Sequence, residues 1–341
     1  MKRIIFLTIF VLALLASGSF GAEIAKYAGE FMSTGVGARA LGMGGAYVAG
    51  GQDVTSGYWN PAGLAYIDVL ELSAMHSERF AGVVNYDYLG AAMPFRSSES
   101  FAVSAIRLGV DDIPITALPR PDIGTDSTFV DENGELQVNR PYVKKSVNDA
   151  EYAFYFSYAN QKSAAFSYGI NAKMIYKGTG VNSAWGIGFD VGMIWNPWNT
   201  LRFGVNVQDV TTTILAWDTG TKELISPTLK AGVAYPLNLP LANMRLLLAA
   251  DVDMRFENRQ YASQYHMEPV SFDFRLGGEL QVYNVVAVRL GRDDLGFMTA
   301  GAGLRFSRLD VDYSFMNHQY LDTTHRISLR LRLEDDLFFR H

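Results

Sequence analysis

The chain has 341 residues, no cysteine and a formal net charge of −6, and 49% of its residues are hydrophobic and 13% aromatic. The missing cysteines rule out disulfides and lipoprotein processing, and an acidic chain without a basic stripe argues against a nucleic-acid partner. Beyond the first residues no apolar run reaches eighteen, so spanning helices are not expected; the other architecture that satisfies its backbone in lipid is a closed barrel.

In chain order, residues 1–22 read as a signal peptide. Lys2 and Arg3 precede the apolar run Ile4 to Leu15, and small residues from Ser17 to Ala22 offer a cleavage site. Residues 23–68 are small and glycine-rich. Within them "GVGARALGMGG" (35–45) and "YVAGGQDVTSGYWNPAGLA" (47–65) look like cofactor loops. Neither has the GxGxxG or GxxxxGK[ST] spacing that cradles phosphate, so no cofactor is expected. A compact run with a turn fixed at Asn60 and Pro61 suits a plug instead.

From residue 69 the pattern alternates with a period of two. In "AWGIGFDVGMIW", Trp185, Ile187, Phe189, Val191, Met193 and Trp195 share one face, while Gly186, Gly188, Asp190 and Gly192 share the other. Lipid-spanning barrel strands have this form. The same period gives about fourteen segments, at 69–78, 83–95, 99–110, 149–161, 164–178, 182–196, 199–209, 224–236, 242–256, 267–281, 284–292, 297–307, 309–318 and 324–334. In the third, Ile106 and Leu108 break the polar face. The long connections 111–148, 210–223 and 257–266 follow odd-numbered segments and the short turns follow even ones, as expected of a barrel entered from the periplasm. Phe95, Trp195, Trp198, Tyr235 and Phe306 mark the proposed periplasmic ends as an aromatic girdle. The expected fold is thus an all-β, transmembrane antiparallel barrel of residues 69–341, with the N-terminal segment 23–68 as a hatch in its lumen. About fourteen strands enclose more space than wall side chains fill, and Gly186, Gly188 and Gly192 would leave room for that plug.

Charges at inward positions are the candidate lumen residues: Arg245, Asp251, Asp253 and Arg255 on one strand, and Arg326, Arg330 and Arg332 on the last. Facing lipid, an arginine at mid-bilayer would cost roughly 2–4 kcal/mol, so they belong inside, pairing across strands to brace the plug. The five histidines include no HExxH, which leaves no metal site and no enzyme to expect. His318 and Asp322 could meet at the rim as solvated loop residues. In the loop 111–148, Asn133 and Gly134 carry a type I' hairpin signal.

The segment "GARALGMGGAYVAGGQDVTSGYWNPAGLA" resembles the N-terminal hatch of the FadL-type outer-membrane proteins, and with "GVDDIPIT" after the third strand it resembles their PorV/PorQ branch. The resemblance implies a fourteen-stranded barrel, hatch residues Asp53, Asn60, Pro61, Ala62 and Gly63, and a long extracellular loop beginning at Asp111, Asp112, Ile113 and Pro114. It implies no catalytic residue, and places the protein in the outer membrane of a Gram-negative-type bacterium, in contact with outer-membrane lipid. Two functions follow: a PorV/PorQ-type docking barrel that binds exported proteins or secretion components of a type IX-like system, or a FadL-like channel for a hydrophobic small molecule such as a fatty acid. Inward residues that are mostly Gly, Ser, Asn, Arg and Asp favour docking over an apolar pocket, with Tyr142, Trp217 and Tyr320 as outer anchors.

Overall fold

The structure is a computed structural model that describes residues 29–334, except 81, 199, 240–242, 258–262 and 319–321 and the side chains of His318 and Asp322. The expected signal peptide and residues 23–28 lie outside the described residues.

The strands are β1 (Leu70–Arg79), β2 (Val84–Phe95), β3 (Glu99–Ala117), β4 (Thr128–Val130), β5 (Leu136–Val138), β6 (Tyr142–Ser163), β7 (Phe166–Gly178), β8 (Ser183–Trp195), β9 (Arg202–Gln208), β10 (Thr213–Trp217), β11 (Lys222–Ile225), β12 (Thr228–Leu239), β13 (Met244–Arg255), β14 (Tyr265–Met267), β15 (Val270–Val282), β16 (Val286–Arg292), β17 (Met298–Arg305), β18 (Leu309–His318) and β19 (Asp322–Leu333). Fourteen of them form a closed antiparallel transmembrane barrel, in which β1 pairs with β19 from Leu70↔Leu333 to Glu78↔His325. Closure leaves no strand edge to be satisfied in lipid.

Alternation explains the wall. Along β8 the side chains from Trp185 to Trp195 are exposed outward at every second position while Gly186, Gly188, Asp190 and Gly192 are buried. The girdle residues Phe95, Trp195, Trp198, Tyr235 and Phe306 are exposed at the end where the short turns lie, here called the turn end. The long connections gather at the opposite, loop end.

Each of the fourteen alternating segments became a wall strand, with four departures. β3 runs on to Ala117 and β6 begins at Tyr142, so the expected loop 111–148 is largely a two-stranded ribbon. Asp111, Asp112, Ile113 and Pro114 lie within β3, at a bulge between Val110 and Ile113 where Asp112 has φ 57° and its N–H donates to Asn148 Oδ1 at 3.0 Å. The extra residue is absorbed in the strand rather than ending it.

The hairpin at Asn133 and Gly134 is present as β4–β5, but it is not a two-residue type I' turn. Gly134 is left-handed at φ 84° and Asn133 is not; Asp131 closes a five-residue turn by accepting from the N–H groups of Asn133 and Glu135, both at 2.9 Å.

The seventh strand is broken. β9 pairs with one half of β8, and β10, expected to be loop, pairs with the other half. Finally, the inward Ile106 of β3 joins a buried cluster with Tyr86, Tyr155 and Ile175. The wall is apolar there because it packs against residues in the lumen.

Candidate functional site

Residues 29–67 pass through the barrel interior as three short helices, α1 (Glu30–Ser33), α2 (Ala38–Gly42) and α3 (Ser56–Trp59), and a 3-10 turn at Pro61–Tyr66. Too short to be stable alone, they are held by wall groups on many strands. Ser328 Oγ accepts the Ala38 N–H at 2.7 Å on β19, and Asp251 Oδ2 on β13 accepts those of Tyr47 and Val48 at 2.6 and 2.8 Å. Glu71 on β1 accepts that of Val54 at 2.9 Å, and Asn171 on β7 and Asn206 on β9 donate to the carbonyls of Gly57 and Trp59. These partners satisfy backbone groups that no ladder serves.

Wall glycines admit the segment. A Cβ on Gly204 would overlap Val48 O and one on Gly291 would overlap the Gly44 nitrogen. Gly192 lies under Asn60 and Pro61 in the same way, whereas the would-be Cβ atoms of Gly186 and Gly188 meet β10 and the Lys173 and Asp209 side chains. Only the last of the three glycines singled out in the sequence therefore makes room for the interior segment.

The residues expected in the hatch, Asp53 and Asn60 to Gly63, all lie in this interior segment. Asn60 Nδ2 donates to Val48 O at 2.8 Å and Met193 O at 3.1 Å, and its Oδ1 accepts the Ala62 N–H at 3.1 Å. Pro61 begins the 3-10 turn, Ala62 O accepts from Ser167 Oγ at 3.1 Å, and Gly63 packs against Gly51 O with no room for a Cβ. Asp53 is the hub of an ion network. Its Oδ2 accepts from Tyr47 Oη at 2.6 Å and lies 3.4 Å from Arg39 Nη1 and 3.3 Å from Arg330 Nη1. Arg39, the one charge among residues 31–52, holds Glu279 by two bonds of 2.6 and 2.8 Å, and Glu279 also takes Arg289 Nε at 2.6 Å. Arg330 and Arg332 share Asp310 at 2.5 and 3.2 Å.

The other candidate charges divide. Asp253 pairs with Arg275 at 2.5 Å and Lys230 at 3.5 Å, and Arg255 lies 3.6 Å from Glu30. Arg245, expected to share their network, lies apart: it is exposed at the turn end of β13. Arg326 faces inward as expected but forms no ion pair among the described residues. Glu279, Arg39, Asp310 and Arg275 were not singled out in the sequence, although their inward parity was there to read. Trp217 is partly buried against the core rather than an outer anchor, Tyr142 is exposed, and Tyr320 lies outside the described residues. His318 and Asp322 are paired in register.

Two cavities flank the segment. One of about 420 Å³ lies toward the loop end, and its wall mixes Phe31, Leu41, Trp59, Leu108 and Met316 with seven charged side chains, Arg79 and Arg326 among them. The other, of about 770 Å³, lies toward the turn end and is polar, with Arg39, Glu71, Arg202, Arg245 and Glu279 in its wall. The apolar lining of the first comes as much from the interior segment as from the strands. Inward strand positions alone, which led us to expect a polar lumen, understate it.

Fold and interior define a class: a transmembrane barrel of fourteen strands whose lumen is crossed by its own N-terminal segment. Solved structures that share the fold include the Ralstonia pickettii toluene transporter TbuX, 13% identical, with 88% of this chain and 99% of that one covered and a TM-score of 0.57. The monoaromatic hydrocarbon channel CymD is 13% identical with 90% and 99% covered and a TM-score of 0.56, and the Pseudomonas putida toluene transporter TodX is 12% identical with 87% and 96% covered and a TM-score of 0.52. At such identities the likeness is one of fold. No protein-family model matches the chain, and no curated protein does.

Proposed function

We propose that the protein is an outer-membrane channel for hydrophobic small molecules, with residues 29–67 as a hatch between an outer and an inner vestibule. The observation that carries this reading is the loop-end cavity, whose walls combine Phe31, Leu41 and Trp59 of the hatch with Leu108 and Met316 of the wall. Aromatic and aliphatic side chains gathered in a concave site beside convergent polar groups are a usual form of small-molecule site. The likeness in fold to the toluene transporter TbuX and the monoaromatic hydrocarbon channel CymD supports it. The loop end then faces outward and the aromatic girdle lies at the periplasmic interface.

Uptake of labelled toluene by a Gram-negative strain lacking its own such channels should rise several-fold when the protein is in its outer membrane. Uptake equal to that of the empty vector, with the barrel present and folded, would sink the proposal.

A docking role, of the PorV/PorQ kind, draws support from a different observation. The ribbon β3–β6 and its hairpin carry Val130, Leu136, Val138, Tyr142 and Val143 exposed, and exposed apolar groups on an ordered element suit a protein contact. Exported proteins that co-purify with the full chain and are lost on deletion of residues 118–141 would favour this role over transport.

A further inference from the structure

Arg326 of β19 is 4% exposed and borders the loop-end cavity. The inward cations Lys173, Lys230, Arg275, Arg289 and Arg330 each have a carboxylate within 4 Å; among the described residues Arg326, like Arg202 at the turn end, has none, and its Nη1 has no hydrogen-bond partner. Register places it in a row across four strands: Ser314 of β18 opposite Arg326, Ser77 of β1 on its other side, and Tyr86 of β2 beyond Ser77. The hydroxyls of all three are buried and without partners among the described residues. Two positions along β1, Arg79 borders the same cavity; its Nη1 donates to Thr34 Oγ1 at 3.2 Å, and its Nε has no partner.

The carboxylates in the cavity wall are engaged elsewhere. Glu151 pairs with Lys177 at 2.6 Å, Glu30 lies 3.6 Å from Arg255, and Asp294 pairs with Arg275 at 2.9 Å. Asp293 Oδ1 accepts the N–H groups of Leu295 and Phe297 at 3.1 and 2.7 Å. Neither guanidinium thus has a carboxylate in ion-pair contact among the described residues, although Asp293 and Asp294 share the cavity, and such an arrangement is costly when buried unless a further anion completes it.

We infer that Arg79 and Arg326 form a binding site for the carboxylate of a small organic acid, whose apolar body lies against Phe31, Leu41 and Trp59. A planar carboxylate matches the guanidinium fork. A single negative charge fits better than a dianion, because Asp293 and Asp294 border the same cavity. A space of about 420 Å³ suits one ring or a short chain. The inference rests on the transport reading for the reason an acid would enter, and narrows the cargo from neutral hydrophobes to their acids.

Calorimetric titration of the full-length, detergent-purified protein with benzoate, benzyl alcohol and inorganic phosphate tests it. Benzoate should bind at least tenfold more tightly than either other probe. Arg326→Gln and Arg79→Gln should each weaken benzoate tenfold or more and benzyl alcohol far less, by threefold at most, and Arg326→Lys should retain part of the binding. Benzoate binding unchanged in both glutamine variants would overturn the site, and so would benzyl alcohol or phosphate binding as tightly as benzoate. Heat-modifiable migration in gels checks that each variant is a folded barrel, and the half-buried Arg79 gives a second test should Arg326→Gln fail it. Uptake of labelled benzoate by cells is read separately. Tight binding without uptake supports the acid site and sinks the transport reading, whereas uptake unaffected by either variant, with no binding, does the reverse.

Discussion

Asp251 shows how a charged side chain inside a barrel wall can be structural. One oxygen takes two backbone N–H groups of the interior segment, Tyr47 and Val48, which have no other partner within reach of a ladder. Replacing it with alanine strands both donors, at about 1–3 kcal/mol for each unsatisfied group. Asparagine keeps an accepting oxygen. Urea unfolding of the vesicle-reconstituted protein, followed by tryptophan fluorescence, should therefore show Asp251→Ala less stable by about 2–6 kcal/mol and Asp251→Asn by well under half of that loss. Equal losses for the two would mean that the charge, and not the acceptor, holds the segment.

At the scale of elements, glycines on β9 and β16 fix where the interior segment can run. A leucine at Gly204 would occupy the space of Val48 O and Ala49 Cα, so the segment must leave that wall while the barrel ladder, which uses only backbone, persists. Arg39 is the one trypsin site among residues 29–67. Its peptide bond should resist trypsin in the natural protein and be cut at least tenfold faster in Gly204→Leu, with heat-modifiable migration retained. Resistance in both would show that the glycine is not a seat.

The strands themselves were legible because lipid on one side and small or charged residues on the other impose a strict period of two. The turn at Asn60 and Pro61 was legible too, since Pro61 begins the 3-10 segment that Asn60 caps. Three features were hidden for physical reasons. In the ribbon extension of β3 and β6, residues 142–146 are exposed at every position and so carry no alternation, and on β3 the bulge at Asp112 shifts the period out of phase with the wall. β10 follows a break at Asp209 and Thr212, both with positive φ, which shifts the pattern out of phase. Partners in the ion network depend on which inward charges meet across strands, and parity alone gives the face and not the register. Arg245 and Asp251 share a face of β13, yet only Asp251 reaches the segment.

On the scale of the whole molecule, a ring of fourteen strands becomes a closed body because residues 29–67 lie across its lumen. The hydrogen bonds from β1, β7, β9, β13 and β19 surround that segment, and the network from Asp53 through Arg330 and Arg39 to Glu279 ties it to β15 and β19 together. The chain has no cysteine, so an introduced pair is free of background. In Ala38→Cys/Ser328→Cys, which joins two positions linked by a 2.7 Å hydrogen bond, mild oxidation of intact outer membranes should form the intramolecular disulfide in most molecules and protect both thiols from maleimide. Absence of the cross-link, with both cysteines freely alkylated in the folded barrel, would contradict a lumen filled by its own N-terminal segment.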